Sequence, residues 1–325
     1  MTATAQCPEA LYNPETDTLR RCVLGPHRVG WHETEGGLQW QDNEEGPLKP
    51  GLYPNLSMER YHGDRGSLSS SGARKLLAPS CPALFRHEQD NPQPPKRTFD
   101  IGNAAHRLVL GEGPELVAVE APDWRTKAAR EERDAVRAAG GVPLLADEYD
   151  QVQAMADAIR RHPVASALFA PDSGRPEQSL FWRDQQTGVM RRARFDWLPD
   201  PRAGRLIIPD YKTCRSAEPS ALARAVDEYG YHQQADWYRA GARALGIGDE
   251  HTAFVFVCQE KTAPYLVTVV ELDATALRIG AAKNRRAIET YARCMESGHW
   301  PGYADDIAYL SLPTWAETRD SVEYL

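Results

Sequence analysis

Apolar and polar positions along the chain change period several times, and each change marks a predicted element. Serines at 69–71 stand ahead of an apolar-periodic run that extends to residue 77, the pattern of a capped helix start. Past a Pro-rich connector at 91–95, residues 99–110 read as a second, more buried helix. Residues 115–119 are short, apolar and β-branched enough for a strand. A charged, exposed helix is predicted over 124–139. Another covers 147–169, with Met155, Ile159, Val164 and Leu168 on one face. The period then drops to two. Strands are predicted over 178–182, 188–198 and 204–212, and turn-rich connections between them describe an antiparallel meander. A long helix over 219–245, strands over 252–258 and 265–272, and a helix over 274–297 follow. This order predicts one α/β domain over residues 67–325, a central mixed sheet flanked by helices, closing in an acidic tail. Residues 1–66 show no helical period and predict a loop-rich arm with a short hairpin around 31–40.

Composition narrows the classes. The chain has 325 residues, 42% hydrophobic, which is enough for a sizeable core. No apolar run approaches the ~20 residues that span a bilayer, and residues 1–10 carry neither a basic region nor an apolar stretch, so neither a membrane span nor a secretory signal is expected. Six scattered cysteines (Cys7, Cys22, Cys81, Cys214, Cys258, Cys294) with no CxxC spacing predict reduced thiols and a cytoplasmic location, not a disulfide framework or a zinc knuckle. The formal charge is −8, which excludes a basic coat for nonspecific nucleic-acid binding. The distribution is uneven. Residues 183–215 carry eight bases and four acids, predicting a cationic strip, whereas residues 1–66 and 301–325 are each −4.

That strip also holds the candidate chemistry. Side chains alternate along a strand, so Arg192, Arg194 and Asp196 share one face, and Asp210 and Lys212 share a face of the next strand. Two carboxylates and a lysine at strand ends are costly to bury unless paired or bound to metal. Such hard oxygen donors suit Mg²⁺. Taken singly, Asp196 or Asp210 reads equally as the partner of a neighbouring arginine; the spacing Asp-x13-Asp-x-Lys within adjacent strands favours a site. No Walker A motif and no GxSxG is present.

Asp196 followed by Asp210-Tyr211-Lys212 resembles the signature of the PD-(D/E)XK nuclease superfamily. Gly102 to His106 resembles the GxxxH helix of its RecB-like branch, Gly188 to Asp196 the GxxxxRxD strand, Asp210 to Thr213 the DYKT strand, and Gln234 to Tyr238 the QxxxY helix. The opening serine helix, with Trp300-Pro301-Gly302-Tyr303 and Leu312-Pro313-Thr314-Trp315, is most similar to the RecE-type (exonuclease VIII) phage recombination nucleases. The cysteines lack the clustered spacing of the iron–sulfur members.

The resemblance implies a restriction-endonuclease-like core and a set of roles. Asp196 and Asp210 would bind the divalent metal, Mg²⁺ with Mn²⁺ able to substitute, together with His106 and the carbonyl of Tyr211. Lys212 would orient the attacking water or stabilise charge on the phosphorane. Glu177 matches the upstream acid, and reads as well as a solvated turn acid after Pro176. Gln234 and Tyr238, at i and i+4, would contact the site or the DNA backbone. Arg192 and Arg194 would hold phosphate, or pair with carboxylates such as Glu177. The implied activity is exonucleolytic hydrolysis of linear double-stranded DNA, 5′→3′, leaving 3′ single strands for an annealing protein of the RecT type in a bacterial host cell. A homo-oligomeric ring, a tetramer by preference, accompanies it. The alternatives are a single-strand or flap nuclease of the same branch, and a non-catalytic DNA-end-binding protein of the same fold.

Overall fold

The computed structural model describes residues 48–92, 101–202 and 204–325 in full, and residue 100 and segments 10–13, 18–21, 31–33 and 39–41 by their backbone. In the arm, β1 (Ala10–Asn13) pairs antiparallel with β2 (Thr18–Arg21), and β3 (Trp31–Glu33) with β4 (Gln39–Gln41), which is the expected hairpin. The side chains of Trp31 and Trp40 lie outside the described residues.

From residue 51 the chain is woven into the domain. Strand β5 (Gly51–Tyr53) and helix α1 (Met58–Gly63) precede β6 (Ser67–Ser69) and α2 (Ser70–Lys75). The serine signature does what its pattern predicts: Ser69 caps α2 by accepting the Gly72 amide at 3.1 Å. Helix α3 (Pro82–Asp90) follows, then α4 (Asp100–Leu110), which carries His106. A small parallel pair, β7 (Leu116–Val119) and β8 (Val142–Leu145), brackets the exposed α5 (Lys127–Ala138).

Two predicted long helices are each two. Residues 147–169 divide into α6 (Ala146–Arg161) and α7 (Pro163–Leu168), because Pro163 drives His162 out of the helical region to φ −76°, ψ 123°. Further on, residues 219–245 divide into α8 (Pro219–Glu228) and α9 (Tyr231–Ala244) at Gly230, whose φ of 67° only glycine adopts cheaply.

Between them run the long strands β9 (Gly174–Arg183), β10 (Met190–Pro199) and β11 (Ile207–Cys214); β12 (Ala253–Glu260) and β13 (Val267–Glu271) come after α9. Strand order is β5-β9-β10-β6 in one sheet, with β6 parallel to β10, and β11-β12-β13 in the other. The predicted meander holds for β9 and β10 but not for β11, which pairs parallel with β12 and brings Asp210 opposite Phe256. The physical reason is at the seam. The Tyr211 amide, which a continuous ladder would give to a β10 carbonyl, goes to the Asp196 carboxylate at 2.8 Å. Side chains of the candidate site therefore stitch the two sheets together.

Helices cover both faces. Phe195, Ile208, Phe254 and Phe256 pack with Trp182, Trp237 and Tyr291 against α9 and α10 (Ala274–Ser297). On the opposite face Tyr211 and Val257 pack with Leu144, Met155 and Ile159 beneath α4 and α6. Each such apolar side chain contributes ~1.5–3 kcal/mol on burial. Gly280 lets α10 approach α9 closely: a Cβ there would lie 2.1 Å from the His232 carbonyl oxygen. No helix among the described residues is long and apolar enough to cross a membrane. The last helix, α11 (Thr314–Tyr324), was not foreseen in the acidic tail.

Candidate active site

Four elements converge where the two sheets meet. Glu177 comes from β9, Asp196 from β10, Asp210 and Lys212 from β11, and His106 from α4. The β9–β10 ladder runs through the Phe195–Gln178 and Trp197–Pro176 pairs and skips Glu177 and Asp196 between them. Glu177 sits there at φ 53°, a left-handed conformation that costs a non-glycine residue about 1–2 kcal/mol. It is offset by the contacts that this turn of the backbone gives its carboxylate.

His106 bridges two acids. Its Nδ1 lies 3.4 Å from Glu177 Oε1 and its Nε2 3.3 Å from Asp196 Oδ2. Burial works against a charged imidazole, yet Asp196 and Glu177 raise its pKa above the ordinary histidine value. Burial also works to raise Asp196, but His106, Lys212 and the Tyr211 amide outweigh it and hold that carboxyl below the usual range. Glu177 goes the other way, raised mainly by burial and held only partly in check by His106. Asp210, 1% exposed, is the most perturbed acid: burial first, then the Asp196 charge, pushes it up to about 7. Lys212 Nζ lies 2.5 Å from Asp210 Oδ2, and Gln234 Nε2 donates to Oδ1 at 2.8 Å. Against its own desolvation, Lys212 is held more basic than usual by Asp210 and Asp196. It is a fixed positive charge and not a base.

This donor set fits a hard divalent cation. His106 stands between Glu177 and Asp196, Asp210 lies near the Asp196 charge, and the buried Asp210 Oδ2 takes no hydrogen bond beyond its ion pair. Among the described residues no three His, Cys, Asp or Glu side chains already surround one ligating point. His106 and Lys212 supply the positive charge in this arrangement.

The remaining predicted residues are placed differently. Gln234 joins the cluster, whereas Tyr238 packs edge-on to Phe254 and beside Phe195, with its hydroxyl engaged by the Arg194 backbone. Arg192 NH1 donates to the carbonyls of Asp64 and Ser67 at 2.6 and 2.7 Å and pairs with the Asp64 carboxylate. Arg194 donates to Ser179 Oγ and the Leu56 carbonyl and lies 3.8 Å from Glu177. Both guanidinium groups are thus engaged by the protein itself. The expected cationic strip is only partly exposed: Arg183, Arg202 and Arg215 face solvent, but Arg191 is buried between Trp182 and Trp237, its guanidinium carbon 4.8 and 3.9 Å from the two ring centroids, and Arg205 pairs with Glu271. Charges counted along the chain are in large part consumed by folding.

Two supporting residues escaped sequence reasoning. Tyr61, buried and pushed up to about 12 by burial, lies beneath the guanidinium groups of Arg192 and Arg194. Gln259 accepts the Tyr211 hydroxyl at 2.6 Å and donates to the Met155 carbonyl at 2.9 Å, tying the Tyr211 side chain to α6. A lone glutamine ending an apolar strand was the available signal.

Comparisons with known proteins identify the family and the fold. The model of a family described as a PDDEXK-like domain of unknown function (DUF3799) matches residues 69–313. The chain belongs to this PDDEXK-like family. Its fold is restriction-endonuclease-like, mixed sheets flanked by helices. A solved structure of a candidate exonuclease from Eubacterium rectale superposes with a TM-score of 0.53 at 12% identity, covering 81% of this chain and 98% of that one. A second, of SSO0001, reaches a TM-score of only 0.28 at 17% identity, over 60% of this chain and 84% of that one. No curated protein matches the chain. PDDEXK-like nucleases in general use divalent metals, in keeping with the donor set.

Proposed function

We propose that this PDDEXK-like chain is a Mg²⁺-dependent exodeoxyribonuclease of the RecE type that hydrolyses linear double-stranded DNA, 5′→3′. The observation that carries the proposal is the buried cluster in which Asp196, Asp210 and Glu177 face His106 and Lys212. The description of the Eubacterium rectale structure as a candidate exonuclease supports the end-directed reading. A 3′ single strand left by such digestion suits an annealing protein of the RecT type.

Asp196 and Asp210, with His106 and the Tyr211 carbonyl and with Glu177 beside them, would hold the cation, which when bound supplies an activated water and neutralises phosphate charge. The chain's own contribution is orientation and fixed charge. The Tyr211 amide and His106 aim the Asp196 carboxylate, and Gln234 aims that of Asp210. The Lys212 ammonium, pinned beside Asp210, offers an immobile positive charge to the negative charge that grows on the phosphoryl oxygens.

The test is digestion of end-labelled linear duplex in Mg²⁺ by wild type, Asp210→Ala and Lys212→Ala. Release of label by wild type, with both variants at least about a thousandfold slower, is expected. Digestion by both variants at the wild-type rate would remove the cluster from the chemistry. Faster digestion of single strands than of blunt duplex would turn the reading towards a single-strand nuclease of the same branch.

A further inference from the structure

The stretch after α10 leaves the domain surface while carrying residues that normally seek a core. The Pro301 carbonyl is still tied to the domain through the Ala83 amide at 3.0 Å. From Gly302 to Trp315 every residue is exposed. Among them Tyr303 is 75%, Ile307 95%, Tyr309 97% and Leu310 85% exposed. Helix α11 continues the pattern with Val322 at 86% and Tyr324 at 74%. Isolated exposed apolar residues need no explanation, but a contiguous set rimmed by charge marks an interaction surface. Residues 302–313 lie within the family match of 69–313, so they belong to the shared domain and are not an appendage to it. Their charge is one-sided: residues 301–325 carry Asp305, Asp306, Glu317, Asp320 and Glu323 against Arg319 alone, which pairs with Asp320.

A surface of complementary character lies on this same chain. Along the outward side of α10, Thr275, Ile279, Ala282, Arg286 and Arg293 fall on one line at helical spacing, all of them exposed, with Arg278 and Lys283 beside it. Ile279, 50% exposed, provides an apolar seat near Arg278, Lys283 and Arg286, while Glu289, paired with Arg285, and the exposed Glu296 flank Arg293 on the same side, leaving the face net basic. Among the described residues no carboxylate is paired with Arg278, Lys283, Arg286 or Arg293.

We propose that residues 302–324 of one copy dock along the exposed basic face of α10 on a second copy. Tyr309, Leu310 and Trp315 supply the apolar contacts there, and Asp306 and Glu317 meet Arg286 and Arg293. The contact joins two different surfaces, so it is heterologous: it closes a ring where the rotation permits and otherwise extends a filament. It thereby gives the expected self-association a specific contact. It does not depend on the nuclease reading, because its readout is mass and not cleavage.

Light scattering coupled to size-exclusion chromatography, run on the full chain over a dilution series, tests it. Wild type should elute as a closed oligomer and Tyr309→Ser/Leu310→Ser as a monomer, with dissociation at least about thirtyfold easier. Arg286→Glu/Arg293→Glu and Asp306→Lys/Glu317→Lys should each dissociate the assembly, and mixing the two charge-reversed proteins should restore it. Circular dichroism of each variant separates loss of contact from loss of fold. A wild-type monomer at every concentration would overturn the proposal. So would an oligomer that survives the tail substitutions, or a mixture of folded charge-reversed variants that fails to reassociate.

Discussion

Asp196 and Asp210 are identical side chains on adjoining strands, and the protein makes opposite acids of them. Asp196 keeps 15% of its side chain exposed and receives a backbone amide and an imidazole, so its charged form is favoured. Asp210 is 1% exposed, lies near the Asp196 charge, and has one ammonium and one amide donor; its proton is retained to about pH 7. Which carboxylate carries charge at rest is thus decided by neighbours and dielectric, not by residue type. The pair resembles a half-charged site, in which one acid is always ready to bind a cation and the other must release a proton to do so.

The comparison breaks most visibly in activity. Asp196→Ala and Asp210→Ala should each slow duplex digestion by about a thousandfold or more, measured as initial rates in saturating Mg²⁺. If one of them stays within tenfold of wild type, the two aspartates are not partners in one site.

Stability against pH is the next test. The unfolded chain releases the Asp210 proton near pH 3.9, while the folded chain keeps it to about 7. Between those values the folded state binds more protons, so raising the pH destabilises it, by up to about tenfold in the folding constant per unit. Asp196, held low, contributes stability present above its unfolded value and lost as pH falls below it. Asp210→Asn should remove its own share of the decline between pH 4 and 7 and leave the smaller shares of Glu177 and His106, whose folded values are also raised. An unchanged slope would show that Asp210 is ionised throughout.

Smaller effects sharpen the picture. Gln234→Leu deletes the amide donor that holds Asp210 Oδ1. It should cost roughly tenfold in cleavage and move the rising limb of the pH–rate profile upward; a tenfold loss with an unmoved profile would assign Gln234 to packing instead. Gln259→Leu strands the buried Tyr211 hydroxyl and should destabilise by about 1–3 kcal/mol in urea titrations. Its effect on Mg²⁺ affinity should be small, since it acts on Asp196 only through the Tyr211 backbone.

Much of the site was legible because strand alternation and helical spacing are short-range. Arg194 and Asp196 both reach Glu177 or His106, and Asp210 lies against Lys212, as their shared faces required. The alternatives at Glu177 resolve the same way: it is no solvated turn acid but a partner of His106 and Arg194. The arginines of β10 were less legible. Arg192 and Arg194 read as phosphate ligands until Asp64, Ser67, Leu56 and Tyr61, well over a hundred residues away in sequence, are seen to occupy them. Nothing local in the chain announces such partners.

The sequence by itself determined the elements whose causes are local. The Ser69 cap, the alternation of β9 and β10, the motif spacing, and the helix at 274–297 that Asp273 caps all follow from backbone geometry within a few residues. Only the tertiary structure decided that β11 turns to β12 and that Arg191, Arg192, Arg194 and Lys212 of the cationic strip are spent inside the fold. It also decided that burial and the Asp196 charge raise the Asp210 pKa while His106, Lys212 and the Tyr211 amide lower that of Asp196. Those outcomes depend on distant partners and on burial, because pairing and the cost of charge are properties of the packed interior and not of the chain that enters it.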